Sequence, residues 1–305
     1  MAARPRLASI LFVVAAAFAF AVGAVSSAAR AAAPAKWIVF SAVPPGQHVD
    51  QLFRIRSSGT GLKKLTTGPY PSDAPAFSPD GTRIAFSRAG VGIVTMDVNG
   101  QAVHRLTTSG RDGFPAWSPD GKQIVFLRPT NAKWAIYAVS SSGGKQRRLA
   151  KAPSAGRPTW SSRGLLIPSG GDLAKIDAAN GRVQKYFGAQ IDAVWGLNTV
   201  ALAPDDSRLT FVGARAPDPG DKECGEGVPC QRFALYSEDL LPKTKPPRLL
   251  LKDVGPAAFS PDGKQLAFVQ RNTKLDLRTL ATGRTTSLPL GGNYATLAGP
   301  PAWQP

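Results

Sequence analysis

Short stretches of alternating apolar and polar residues, each closed by a tight-turn signal, run along most of this chain. In Phe77–Ser87, FSPDGTRIAFS, an aromatic residue ends one strand and Ser78-Pro79-Asp80-Gly81 makes a turn. Ile84 and Phe86 then alternate with Ala85 and Ser87, the period of two expected for a strand with one buried face. Proline presets φ at the second turn position, and glycine takes the positive φ that a tight hairpin requires. The stretch therefore predicts a β-hairpin. It recurs as Trp117–Leu127, WSPDGKQIVFL, and as Phe259–Val269, FSPDGKQLAFV, with worn copies at Trp160–Pro168 and Leu202–Val212.

The anchors Phe77, Trp117, Trp160, Leu202, Phe259 and Trp303 are spaced 40, 43, 42, 57 and 44 residues apart. Between them a third and a fourth strand are legible, joined by turns such as Asn99-Gly100, Asn180-Gly181 and Thr282-Gly283. Four strands per unit of about 40 residues is the blade of a β-propeller. The last copy stops at Trp303-Gln304-Pro305, and its missing second strand matches Trp37–Ser41 at the other end of the chain. The reading is an all-β, six-bladed propeller of four antiparallel strands per blade. The C-terminal strand joins the N-terminal blade and closes the ring, which removes unpaired edges. No stretch reads as a long amphipathic helix.

The FSPDGxxIAF repeat, with a proline two or three residues before each aromatic, resembles the repeat of TolB-type β-propellers. The resemblance covers residues 37–305 and concerns the propeller module alone, because the chain lacks the α/β domain that precedes the propeller in TolB itself. A role in the Tol–Pal envelope system does not carry over.

Residues 1–31 have the layout of a secretory signal peptide: Arg4 and Arg6, then the apolar run Leu7–Val25, then small residues up to Ala31. An uncleaved N-terminal anchor is the competing reading. Residues 32–36 are a short linker, and residues 37–305 form the propeller. Either reading puts the folded part outside the cytoplasm: secreted, periplasmic or associated with the cell envelope. Cys224 and Cys230, the only cysteines, then fit a short disulfide loop.

The chain has 37 Lys+Arg against 20 Asp+Glu, formally +17. Removing the four cations of residues 1–36 from that total leaves +13 on the propeller. Such a surface suits solubility and anionic partners alike. The cations are scattered in singles and pairs, which argues against a dedicated nucleic-acid groove.

Propeller folds bind on the face where the inner strands begin. By that analogy the binding candidates are His48, Asp50, Asp73, Arg111, Asp112, Arg157, Asp192, Trp195 and Tyr294. Asp221, Lys222 and Glu226 join them from the insertion Gly213–Arg232, which accounts for the 57-residue interval. Asp50, Asp73, Asp112 and Asp192 could ring the channel mouth and hold Ca²⁺; no other cofactor is expected. Asp80, Asp120 and Asp262 recur within turns and read as structural. With two histidines, His48 and His104, and no Gly-x-Ser-x-Gly elbow, catalysis has little to stand on. The expectation is a monomeric, non-catalytic scaffold for an envelope or extracellular protein. Two alternatives stand beside it: a hydrolase or lyase using channel-mouth carboxylates, and an electrostatic binder of anionic wall polymer or nucleic acid.

Overall fold

Why the repeats become blades is visible in the computed structural model. It describes residues 35–131, 133–152, 156–162, 164–169, 172–187, 200–215, 232–239, 248–292, 294 and 296–305. Strands β1 (Trp37–Val43), β2 (Gln51–Arg56) and β3 (Lys63–Lys64) open the chain. A full sheet follows: β4 (Ser72–Phe77), β5 (Arg83–Arg88), β6 (Gly92–Asp97) and β7 (His104–Arg105). The third contains β8 (Gly113–Trp117), β9 (Gln123–Thr130), β10 (Lys133–Ser140) and β11 (Arg147–Ala152). Next come β12 (Thr159–Ser161), β13 (Gly164–Ser169), β14 (Asp172–Ile176) and β15 (Val183–Phe187). The fifth sheet is β16 (Val200–Leu202), β17 (Arg208–Arg215), β18 (Arg232–Asp239) and β19 (Arg248–Lys252). The last is β20 (Val254–Phe259), β21 (Gln265–Gln270), β22 (Lys274–Thr279) and β23 (Thr285–Ser287), with β24 (Thr296–Trp303) ending the chain. Every sheet is four-stranded and antiparallel, and no described residue is helical.

The first sheet runs β24-β1-β2-β3, so the two ends of the chain share one blade. Ile38 stands opposite Trp303, and Val39 opposite Ala302. The Gln304 amide donates to the Trp37 carbonyl at 2.8 Å, and the Lys36 ammonium donates to the Pro305 carbonyl at 2.6 Å. The closure expected from the split repeat is the one observed.

Between blades lies the core. Phe40, Phe86, Phe126, Phe211 and Phe268 occupy the same repeat position and are all fully buried. Each contributes about 1.5–3 kcal/mol by leaving water. Among the described residues, six apolar clusters each join two neighbouring blades; one, for example, packs Val39 and Leu52 against Ile84, Phe86, Val94 and Met96. Trp117 and Trp303 complete the seams. Their indoles donate to the carbonyls of Ala76 and Ala258 in the preceding blades, both at 3.1 Å.

The recurring turn is held by its own side chains. Ser78 donates from Oγ to Asp80 at 2.6 Å, and Asp80 also accepts from the Thr82 amide at 3.0 Å. Ser118–Asp120 and Ser260–Asp262 repeat the arrangement at 2.6 Å. The serine hydroxyl, first among the causes, holds these three carboxyls below the usual carboxylate range. In the worn copy Asp206 takes the glycine position at φ 53°. Its carboxylate compensates by accepting from the Ser162 amide at 2.7 Å, across to the neighbouring blade.

Candidate functional site

The recurring turns all lie at one end of the inner strands, the lower face. The opposite, upper face carries the start of each inner strand and the ends of its hairpin partners. Asp73 stands opposite Ser87 there, and Gly113 opposite Leu127. Small residues line the passage between the inner strands: Ala76, Ala116, Ala201, Ala258 and Ala302 surround a channel of about 280 Å³. Arg157 is the charged residue in that lining.

Backbone strain marks the mouth of the channel. β4 and β8 both carry a bulge near their start. Within these bulges Ala74 and Phe114 sit at φ 49° and 57°, a region that disfavours side chains by about 1–2 kcal/mol. Each is followed by a proline, Pro75 or Pro115, so the proline noticed in the repeat marks a bulge that redirects the strand entering the channel.

Three charged groups meet at this mouth. Asp50 ends the loop after β1, and its carbonyl accepts from the Ser72 amide at 2.8 Å, which ties that loop to β4. One oxygen of its carboxylate is buried without a partner among the described residues, and burial raises its affinity for a proton. Asp73 is open to channel solvent while protein crowds it on other sides. Desolvation raises its proton affinity, the neighbouring Asp50 charge raises it further, and Ser87 and Arg157 pull it back. Arg157 donates from Nη2 to the Pro75 carbonyl at 2.5 Å. Burial lowers its pKa to about 10, against the pull of Asp73, so it stays charged at neutral pH.

A carboxyl whose proton affinity is higher in the folded chain than in the unfolded one weakens the fold when it ionises. Its stabilising balance is complete below the ordinary aspartate value near ~3.9 and is lost as pH rises through the raised folded value. Asp73→Asn is therefore expected to raise the melting temperature at pH 7 by on the order of 2 °C. The gain should shrink towards zero below pH ~4. Melting curves across pH check this; a gain that persists in acid would exclude ionisation as its source.

The other candidates are placed differently. Asp112 is buried and paired with Arg128, Nε to Oδ1 at 2.6 Å and Nη2 to Oδ2 at 2.7 Å. Arg111 and His48 are exposed on the upper face. Tyr294, named as a binding candidate, is half-buried and packs edge-on against Phe53 with ring centroids 5.2 Å apart. Asp192, Trp195, Asp221, Lys222, Glu226, Cys224 and Cys230 lie outside the described residues. Among the described residues no three His, Cys, Asp or Glu side chains come together as a metal would need, and Asp50 and Asp73 are the two carboxylates of the expected ring that do meet. The described part of the chain holds no helix long and apolar enough to cross a membrane.

Sequence reading did not foresee two features. One is the service of Arg128 as the clamp on Asp112, since residues 16 apart give no local signal. The other is the strained bulge, whose only trace is the proline two residues before Phe77 and Trp117.

The sequence matches the TolB beta propeller domain family over residues 33–185. Among solved structures, TolB from Acinetobacter baumannii superposes with a TM-score of 0.65 at 19% identity, covering 88% of this chain and 67% of that one. A chain in a nidogen–laminin complex superposes with a TM-score of 0.66 at 12% identity, covering 88% of this chain and 98% of that one. No curated protein matches.

Proposed function

Since the chain belongs to the TolB beta propeller domain family, we propose that it is an exported, non-catalytic scaffold capturing a protein partner at its channel mouth. The observation that carries this reading is the fate of the aspartates. Asp80, Asp120, Asp205 and Asp262 are absorbed by turns, and Asp112 by Arg128. Asp50 and Asp73 are held by neither a turn of that kind nor a two-bond guanidinium clamp, yet the fold keeps them together and crowding by protein raises the proton affinity of both. A basic side chain from a partner, entering between them, would relieve that repulsion. Charge complementarity of this kind fixes register and speeds encounter.

The exposed Tyr70 adds an apolar contact on the same face, and aromatic anchors beside charged pairs are where binding energy concentrates. A propeller fold occurs in a complex of nidogen with laminin, a precedent for protein capture by this architecture. Export follows from the apolar run Leu7–Val25 behind Arg4 and Arg6.

The test is affinity capture from an envelope fraction, with mass spectrometry of the proteins retained. The Asp50→Asn/Asp73→Asn double variant, which keeps shape and removes charge, should lose at least about tenfold of the specific capture, corresponding to 1.4 kcal/mol. Equal capture by the variant, with a melting temperature no lower than the parent's, overturns the reading.

A further inference from the structure

Blade three differs from the others at its rim. Its outermost strand, β11, is the longest of the six with six residues, against five in β15 and β19, three in β23 and two in β3 and β7. An open cleft of about 530 Å³ lies beside β11, lined by Lys133, Trp134, Arg148 and Lys151 together with Thr130 and Asn131. No acid lines it. Lys133, Arg148 and Lys151 are exposed, while the Trp134 indole is half-buried on the blade core. Arg148 also borders a second cleft of about 620 Å³ that contains Lys145 and Arg147. The two clefts together string cations along the strand over roughly 20 Å.

Cations on an edge strand have an ordinary use, since they discourage pairing with another chain. That use requires no aromatic ring. It also does not call for a cleft free of acids in which three cations go unpaired among the described residues. An indole held by the core and open on one side is an apolar platform with a polar rim. Flanked by ammonium and guanidinium groups, it suits a ligand that alternates an apolar ring face with a negative charge.

We infer that the β11 clefts bind an acidic polysaccharide, with Trp134 packing against the C–H face of a sugar ring and Lys133, Arg148 and Lys151 meeting its carboxylate or phosphate groups. The site is separate from the channel mouth and stands or falls independently of the scaffold reading. Together the two would hold the propeller against an anionic envelope matrix while the mouth engages its partner.

Titration of the intact propeller with defined oligosaccharides, followed by tryptophan fluorescence and calorimetry, tests this. A polyuronate oligomer and a phosphorylated glycan distinguish the two sources of charge. Uncharged dextran, poly-glutamate and single-stranded DNA complete the set. At least one acidic glycan should bind with an affinity that falls as salt rises. Trp134→Leu, which retains apolar packing, should weaken it about tenfold, or 1.4 kcal/mol. Lys133→Glu/Lys151→Glu, at exposed positions, should weaken it at least as much and flatten the salt dependence. Equal binding of dextran, or of poly-glutamate with no effect of Trp134→Leu, overturns the inference. So does tighter, Trp134-dependent binding of DNA, and so does an acidic glycan that ignores both variants.

Discussion

Ending the chain after Gly292 should abolish the fold, with loss of the cooperative thermal transition and aggregation on size-exclusion chromatography. The cut removes β24, the inner strand of the blade that begins at Trp37. Ile38 and Val39 lose their partners Trp303 and Ala302, and Phe40 loses a neighbour in its cluster. Leu297 and Trp303 are both buried, at 2% and 9% exposure, and each contributes about 1.5–3 kcal/mol. The backbone ladder and the Trp303–Ala258 bond go with them. Against a typical domain stability of about 5–15 kcal/mol that loss is decisive. It also bares the long apolar edge of β1, a template for intermolecular pairing.

A circular permutant separates this cause from mere shortening. Trp303 stands opposite Ile38 as Trp117 stands opposite Ile124, so a Ser-Pro-Asp-Gly-type turn from Trp303 into β1 restores a normal hairpin. That permutant should melt as the parent does. A truncated chain that keeps the native transition would refute closure as the source of stability.

Arg128→Ala ranks second. It strips the buried Asp112, whose side chain is 0% exposed, of both charge-assisted bonds. It also removes the bond to Gln146 at 2.5 Å and the cation–π contact with Tyr137 at 4.5 Å. Leaving one partner of a buried ion pair typically costs about 3–5 kcal/mol. For a domain of this size the melting temperature should fall by on the order of 10 °C. The double variant Arg128→Met/Asp112→Ala removes the stranded charge as well and should recover most of that loss. If the two single losses simply add in the double variant, the pair is not coupled.

The repeat was legible because its causes are local. The turn depends on bonds between residues two to five apart, such as Ser78 to Asp80 and the Arg83 amide to Ser78 Oγ. The same short range explains why Asp80, Asp120 and Asp262 could be recognised as structural from their position in Ser-Pro-Asp-Gly. Closure was legible too, since a copy missing its second half at Trp303 had that half waiting at Trp37.

The aspartates of the upper face are the contrasting case. Asp50, Asp73 and Asp112 look alike in sequence, each an acid at or just before the start of a strand, and nothing local ranks them. Asp112 is neutralised by Arg128 from the adjacent strand, while Asp73 faces Asp50 from another blade and Arg157 from 84 positions away. Whether a carboxylate is paired, desolvated or crowded depends on groups brought close by the ring, and desolvation has no short-range signature in the chain. Local hydrogen bonding and period-two burial wrote six blades and their closure into the residues. The channel mouth exists only once neighbouring blades fold together, because its chemistry comes from side chains that the chain keeps far apart, whereas the rim cleft at Trp134 needs only β9, β10 and β11 to pair within one blade.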